Sequence, residues 1–302
     1  MIINKFNNIT DWFYSWLGYQ FFITPFRTRP PSDYHQFMHL AQDWFYNNRT
    51  DCIERSLPRH YVIHYFSPQT APNGHKILIT HGWMSCATWM AKFVNDFTIE
   101  GYEVYALDFP AHGEAKGVQI IWEDAVAVIR DTINEYGPFY AAVGHSFGGS
   151  MLINAVNLSG QLENFKLSTI PEQIVTMGSP TRMRIPVYLL AKRLQLSANA
   201  YKELRRTIWT KGQVDPMRLQ LKYLMTQNIK VRWICIHGED DDVIHPYESQ
   251  VFCEQVPNSQ LILLPKMDHL SLLMDDRITE NILQQIKPSE DSQKFIGEDV
   301  RE

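Results

Sequence analysis

The chain has 302 residues, 45% of them hydrophobic and 20% charged, with a formal net charge of −5. That is enough apolar material for one large domain with an insertion, and too much for a disordered or collagen-like chain. A mild acidic excess also speaks against a nucleic-acid partner, because phosphate binders carry a basic surplus.

Residues 1–59 read as an aromatic-rich helical segment. The stretch ITDWFYSWLGYQFFI (9–23) is interrupted by polar groups and has no small-residue cleavage pattern, so it makes a poor signal peptide. No run of about 18 apolar residues follows, and no membrane span is expected. Two readings stay open for this segment. It is either an interfacial helix that sets Trp12, Phe13, Trp16, Phe21 and Phe22 at a membrane surface, or a helix packed on the protein's own core. The four cysteines, Cys52, Cys86, Cys235 and Cys253, are widely spaced without a CxxC pair. They suggest neither a zinc site nor a disulfide framework, and point to a reducing, cytoplasmic compartment.

From residue 60 onward the pattern becomes regular. RHYVIHYFS (59–67) alternates and predicts an antiparallel strand near a sheet edge. KILIT (76–80), EVYALD (103–108), FYAAVGH (139–145), QIVTMGS (173–179), VRWICIHG (231–238) and QLILLP (260–265) are short apolar runs of the kind buried on both faces. Helical stretches lie between most of them, at 87–101, 122–137, after Ser146, at 246–256 and at 276–287. Strands alternating with helices of that length predict an α/β fold, a mostly parallel sheet wrapped by helices, over residues 60–179 and 229–287. Residues 180–228 break the rhythm with helical composition and no strand signal. They predict a lid across the carboxyl edge of the sheet, where ligands of open α/β sheets bind. Residues 288–302 read as a polar tail.

The segment YAAVGHSFGGSM (140–151) holds the chemistry. Gly144-His145-Ser146-Phe147-Gly148 is G-x-S-x-G between a predicted strand and a predicted helix, the setting of a nucleophile elbow. Small neighbours let strand and helix approach a serine thrust outward on a tight turn. A serine hydroxyl needs a base, and the base needs an orienting acid. His269, in LLPKMDHLSLL, follows the last predicted strand, and CIHGEDDDVIHP carries three aspartates after the strand before it. Asp241 stands three residues beyond Gly238 and is the chosen acid, with Asp240 and Asp242 as alternatives. Negative charge developing on a substrate carbonyl needs preorganised donors. The His81-Gly82-Trp83 turn can supply the Trp83 N–H, and the elbow the Phe147 N–H.

Taken together, THGW, LDFPAHG, GHSFGG, IHGEDDDVI and MDHLSLL resemble the oxyanion loop, the turn after the fourth strand, the nucleophile elbow, the acid loop and the histidine loop of the α/β-hydrolase superfamily. The resemblance covers about residues 60–287, and is nearest to small-lid bacterial esterase-like proteins. It implies an eight-stranded, mostly parallel sheet with a lid. It further implies Ser146 as nucleophile, His269 as base, Asp241 as acid, and Trp83 with Phe147 as oxyanion donors. Two positions depart from the usual pattern. Asp268 precedes the histidine where glycine is frequent, and Ala111 stands where the PAHG turn often has glycine. His112 in that turn is expected to be structural.

The expectation is therefore a serine esterase acting on small acyl esters without metal or cofactor. The alternatives are an acyl thioesterase or lipase for anionic lipids, and a non-catalytic binding protein on the same scaffold. Between Thr181 and Lys222 ten basic residues stand against Glu203 and Asp215. This surplus suggests peripheral contact with an anionic membrane through the lid and the N-terminal aromatics.

Overall fold

Eight strands make one sheet in the computed structural model, which describes residues 2–26, 32–56, 58–226 and 230–287. In chain order the elements are α1 (Ile2–Ile23), α2 (His35–Asn48), β1 (Asp51–Arg55), β2 (Tyr61–Phe66), β3 (Lys76–Thr80), α3 (Ala91–Ile99), β4 (Glu103–Asp108) and α4 (Trp122–Tyr136). They continue with β5 (Ala141–His145), α5 (Phe147–Ser159), β6 (Gln173–Met177), α6 (Arg184–Arg193), α7 (Ala198–Lys211), α8 (Leu221–Thr226), β7 (Arg232–Gly238), α9 (Tyr247–Gln255), β8 (Ser259–Leu264) and α10 (Asp276–Ile286). The sheet runs β1-β2-β4-β3-β5-β6-β7-β8. β1 and β2 pair antiparallel, as do β2 and β4, and every later pairing is parallel.

The apolar runs work because each strand feeds two cores in alternation. Ile77 and Ile79 face a core shared with α2, α3 and α10, whereas Leu78 faces one shared with α4, α5 and α9. Val104 and Ala106 divide from Tyr105 and Leu107 in the same way. Burying an aliphatic side chain of this size stabilises the fold by about 1.5–3 kcal/mol. Leu78→Ala is thus expected to cost about 2–5 kcal/mol once the cavity it leaves is included.

The sequence reading differs from the structure at the amino-terminal side. The segment ending at residue 59 is helical only as far as Asn48, and Asp51–Arg55 then joins the sheet as its antiparallel edge. The stretch beginning at Ala87 opens with a tight 3₁₀ turn, Ala87–Met90, before α3. The stretch expected as a lid carries α6, α7 and α8, with the Ser197 hydroxyl accepting the Ala200 N–H to cap α7. Residues 227–229 at the end of the lid and the expected tail, 288–302, lie outside the described residues. The first helix packs on the protein through one face only. Tyr19 and Ile23 of α1 are buried against Val187, Leu204 and Ile208 of the lid, while Trp12, Phe13 and Trp16 remain exposed. Among the described residues no helix is long and apolar enough to cross a membrane.

Candidate active site

Ser146 stands between the end of β5 and the first turn of α5 with φ +50° and ψ −115°. A side chain in the left-handed region is strained, and the surroundings must hold it there. They do so by close approach. A Cβ on Gly144 would lie 2.5 Å from the Gly149 nitrogen, and one on Gly148 would lie 2.5 Å from the Thr80 carbonyl oxygen. The Ser146 N–H donates to the Met177 carbonyl at 2.8 Å, and the Ser146 carbonyl accepts the Ser150 N–H at 3.1 Å. The elbow is thereby pinned to β6 and α5.

The loops after β7 and β8 bring the other two residues to it. The His269 Nδ1–H donates to Asp241 Oδ2 at 2.7 Å, and His269 Nε2 lies 3.0 Å from Ser146 Oγ, placed to accept its proton. Asp241 is buried, whereas Asp240 and Asp242 are exposed, which settles among the three which one faces the imidazole. Asp241 Oδ1 also accepts the Val243 and Ile244 N–H groups, at 3.0 and 2.8 Å. Burial alone would push this carboxyl up, but bonds donated by His237, His269 and Ile244 outweigh it and hold the group well below the usual carboxylate range. It therefore stays ionised at neutral pH. Asp268, the residue that replaces glycine, accepts the Leu270 and Ser271 N–H groups at 3.0 and 2.7 Å, and so shapes the turn that presents His269.

Two histidines that the sequence reading passed over complete the surroundings. His237 is fully buried, and its Nε2–H is shared between the Ile244 carbonyl at 2.8 Å and Asp241 Oδ2 at 3.3 Å. Its Nδ1 accepts the Ser249 hydroxyl at 2.7 Å. His145 donates from Nε2 to the His269 carbonyl at 3.0 Å, and burial, aided by the nearby imidazoles, depresses its pKa to about 3. It is a neutral strut under the base, with its ring 4.8 Å from the His269 ring. The only sequence cue for either was position, inside the elbow for His145 and at a strand end for His237.

The loop after β3 lies against the serine: a Cβ on Gly82 would sit 3.3 Å from Ser146 Cβ. The next residue, Trp83, stacks edge-on with Phe147 at 5.3 Å between ring centroids. Phe147 is the first residue of α5, so its N–H has no acceptor within the helix. His81, kept neutral by burial, donates from Nδ1 to the Gly82 carbonyl at 2.7 Å and accepts the Phe109 N–H at 3.2 Å. His112 accepts the Met84 N–H at 3.2 Å and donates to the Pro110 carbonyl at 3.0 Å, a supporting place in the loop. Beneath them Asp108 accepts from Ala87, Glu114 and His64 at 2.7, 2.8 and 3.0 Å. A Cβ on Gly113, at φ +51°, would collide with this carboxylate at 2.1 Å, while Ala111 tolerates φ +64° nearby. Cys86, in the same loop, is a poor nucleophile, because burial pushes its thiol up to about 11.

Cys52, His64 and Glu114 bring three ligand types together, but the Arg49 guanidinium already sits 2.8 Å from His64 Nδ1 and 2.7 Å from Glu114 Oε2, where a metal would go. A cavity of about 550 Å³ lies under the lid, walled by Phe22, Met183, Val187, Ile208 and Leu219. Neither Ser146 nor His269 lines it. Met183 stands between the two regions, with its sulfur 3.8 Å from the Ser150 hydroxyl.

An outward serine at the end of a central parallel strand, with an acid–imidazole pair carried by the two last strands, is the layout of an α/β hydrolase. The chain belongs to the alpha/beta hydrolase family, whose pattern it matches over residues 77–280. It is similar to the pimeloyl-[acyl-carrier protein] methyl ester esterase of Nitrosospira multiformis, with 23% identity over 70% of this chain and 94% of that one. Among solved structures it resembles an esterase from Exiguobacterium antarcticum, at TM-score 0.57 and 14% identity, over 78% of this chain and 99% of that one. The carboxylesterase CesB of Bacillus subtilis superposes at TM-score 0.56 with 14% identity, over 83% and 96%.

Proposed function

We propose that the protein is a serine hydrolase of carboxylic esters. The observation that carries this reading is the unbroken chain of hydrogen bonds from Asp241 Oδ2 through His269 to Ser146 Oγ, at 2.7 and 3.0 Å. In the proposed reaction Ser146 Oγ attacks the ester carbonyl carbon as His269 Nε2 takes the hydroxyl proton. The carbonyl oxygen becomes an oxyanion facing the Trp83 and Phe147 N–H groups. The tetrahedral intermediate collapses, His269 returns the proton to the leaving alkoxide, and an acyl-serine remains. Water, deprotonated by the same imidazole, then attacks the acyl carbon and releases the acid and the free serine. Asp241, held ionised, keeps the Nδ1–H tautomer and balances the imidazolium. The chemistry calls for no metal or cofactor. The similarity to proteins named as esterases supports the ester bond as target.

A second reading, hydrolysis of acyl thioesters or anionic lipids, is favoured by the ten basic residues between Thr181 and Lys222. Both readings share the acyl-serine. Incubation with a fluorophosphonate probe tests it: labelling at Ser146 that vanishes in Ser146→Ala is the expected result, and absence of labelling on folded protein would overturn the hydrolase in favour of a binding role. A panel of esters and thioesters, neutral and anionic, then separates the two substrate classes by kcat/KM.

A further inference from the structure

Between residues 2 and 23, α1 carries only Lys5 and Asp11 as charged residues, and the family match begins far beyond it, at residue 77. The helix is nevertheless firmly seated. Tyr19 and Ile23 pack into the lid. The Ser197 hydroxyl donates to Asp11 at 2.5 Å, the Ile120 N–H donates to the Ile23 carbonyl at 2.8 Å, and the Lys211 ammonium lies 4.6 Å from the Tyr19 ring centroid. A helix tied down on one face cannot roll its other face inward. What it leaves in water is a run of four aromatic side chains in five positions: Trp12, Phe13, Tyr14 and Trp16, at 61, 49, 51 and 43% exposure. Three of the rings are neighbours, with the Phe13 centroid 5.8 Å from that of Tyr14 and 6.2 Å from that of Trp16. Single exposed aromatics are ordinary, whereas a contiguous cluster marks a contact surface.

The lid that holds α1 supplies the second half of the surface. Its ten basic and two acidic residues between 181 and 222 give a net +8, leaving −13 for the rest of a chain whose total is −5. Eight of the ten, among them Lys192, Arg193, Lys202 and Arg206, are exposed. Trp209 and Tyr188 lie exposed among them, and the Arg205 guanidinium covers the Trp209 ring at 4.6 Å. Aromatic rings beside long cationic side chains suit the headgroup layer of a bilayer, where rings sit at the acyl boundary and cations meet lipid phosphates.

We propose that α1 and the lid together form a docking surface for an anionic lipid bilayer, with Trp12, Phe13 and Trp16 inserted and the lid cations on the headgroups. A second copy of the chain is the weaker occupant, because a two-fold contact through this face would bring two +8 lids together. Arg184 and Trp209, both exposed, also line the 550 Å³ cavity, so the lid's exposed surface is continuous with it. The surface stands independently of the proposed chemistry at Ser146.

The test uses full-length Ser146→Ala, so that no turnover alters the lipid, sedimented with vesicles of phosphatidylcholine alone or mixed with phosphatidylglycerol. Partitioning is expected at least ~10-fold stronger into the anionic vesicles and to fall steeply as salt rises. Trp12→Ala with Trp16→Ala, both solvent-exposed, should weaken it at least ~10-fold, while circular dichroism stays unchanged and, on the Ser146 background, so does turnover of a short water-soluble ester. Lys192→Gln with Arg193→Gln should reduce the preference for anionic lipid. Equal binding to both vesicle types, or unchanged binding by the double tryptophan variant, would overturn the proposal. So would a dimer on gel filtration that the tryptophan variant dissolves, which would assign the face to a second copy.

Discussion

Glu123, in the first turn of α4, is 1% exposed, and its Oε1 accepts the Gln213 N–H at 3.0 Å while Oε2 finds no partner among the described residues. Burial is the main reason its carboxyl is pushed up to about 7, with Asp124 adding to the rise and backbone donors of Glu123, Gln213 and Val214 opposing it. Between the ordinary 4.5 and about 7 the folded protein holds a proton that the unfolded chain has released, so stability falls as pH rises through that window. At ~1.36 kcal/mol per unit the shift amounts to about 3 kcal/mol, fully lost above the folded pKa. For a chain of 302 residues that is about 5 °C in Tm at ~2.1 cal/mol/K per residue. Glu123→Gln keeps the shape and the acceptor for Gln213 but removes the titration. Thermal unfolding of both proteins from pH 5 to pH 8 is the assay, and the variant should gain about 4 °C on wild type across that range, since part of the shift is already lost at pH 5. If the difference between the two proteins is the same at pH 5 and pH 8, the buried acid is not what the structure describes.

Asp241→Asn keeps an acceptor near His269 but cannot balance an imidazolium, and kcat on an activated ester should fall by about 10⁴ with little change in KM; a loss under ~10-fold would remove Asp241 from the relay. Gly178 sits at φ +55°, where a Cβ would lie 3.0 Å from Asp241 Oδ2 and 3.2 Å from His269 Nδ1. Gly178→Ala should therefore cost about 1–3 kcal/mol in denaturant unfolding and slow fluorophosphonate labelling of Ser146, whereas wild-type labelling would show that the relay does not feel that position.

The parallel strands could be read from the sequence because both their faces are buried. KILIT and EVYALD are continuous apolar runs, and β3 and β4 span those same residues. β1 could not be read in this way: DCIER is a half-exposed edge with two acids and an arginine, and only its pairing with β2 makes it a strand. Chain order and spacing singled out Ser146, His269 and Asp241, the three residues that the structure brings within hydrogen-bonding distance of one another. His145 and His237 were not legible in this way, since a buried histidine has no periodicity of its own and its role appears only when its partners are placed. The N-terminal aromatics presented two readings because a surface helix has two faces; the structure packs Tyr19 and Ile23 on the protein and leaves Trp12, Phe13 and Trp16 exposed.

The relay joins residues 123 positions apart in the chain, with its base on the loop that follows the last strand. On the ribosome, β5 and the elbow emerge long before β8 can pair with β7, so a growing chain carries the Ser146 hydroxyl before the His269 imidazole can reach it. If Ser146 is the nucleophile proposed above, reactivity arrives in one late step, when the final strand docks, and a product truncated before that strand stays inert however well its first half has folded.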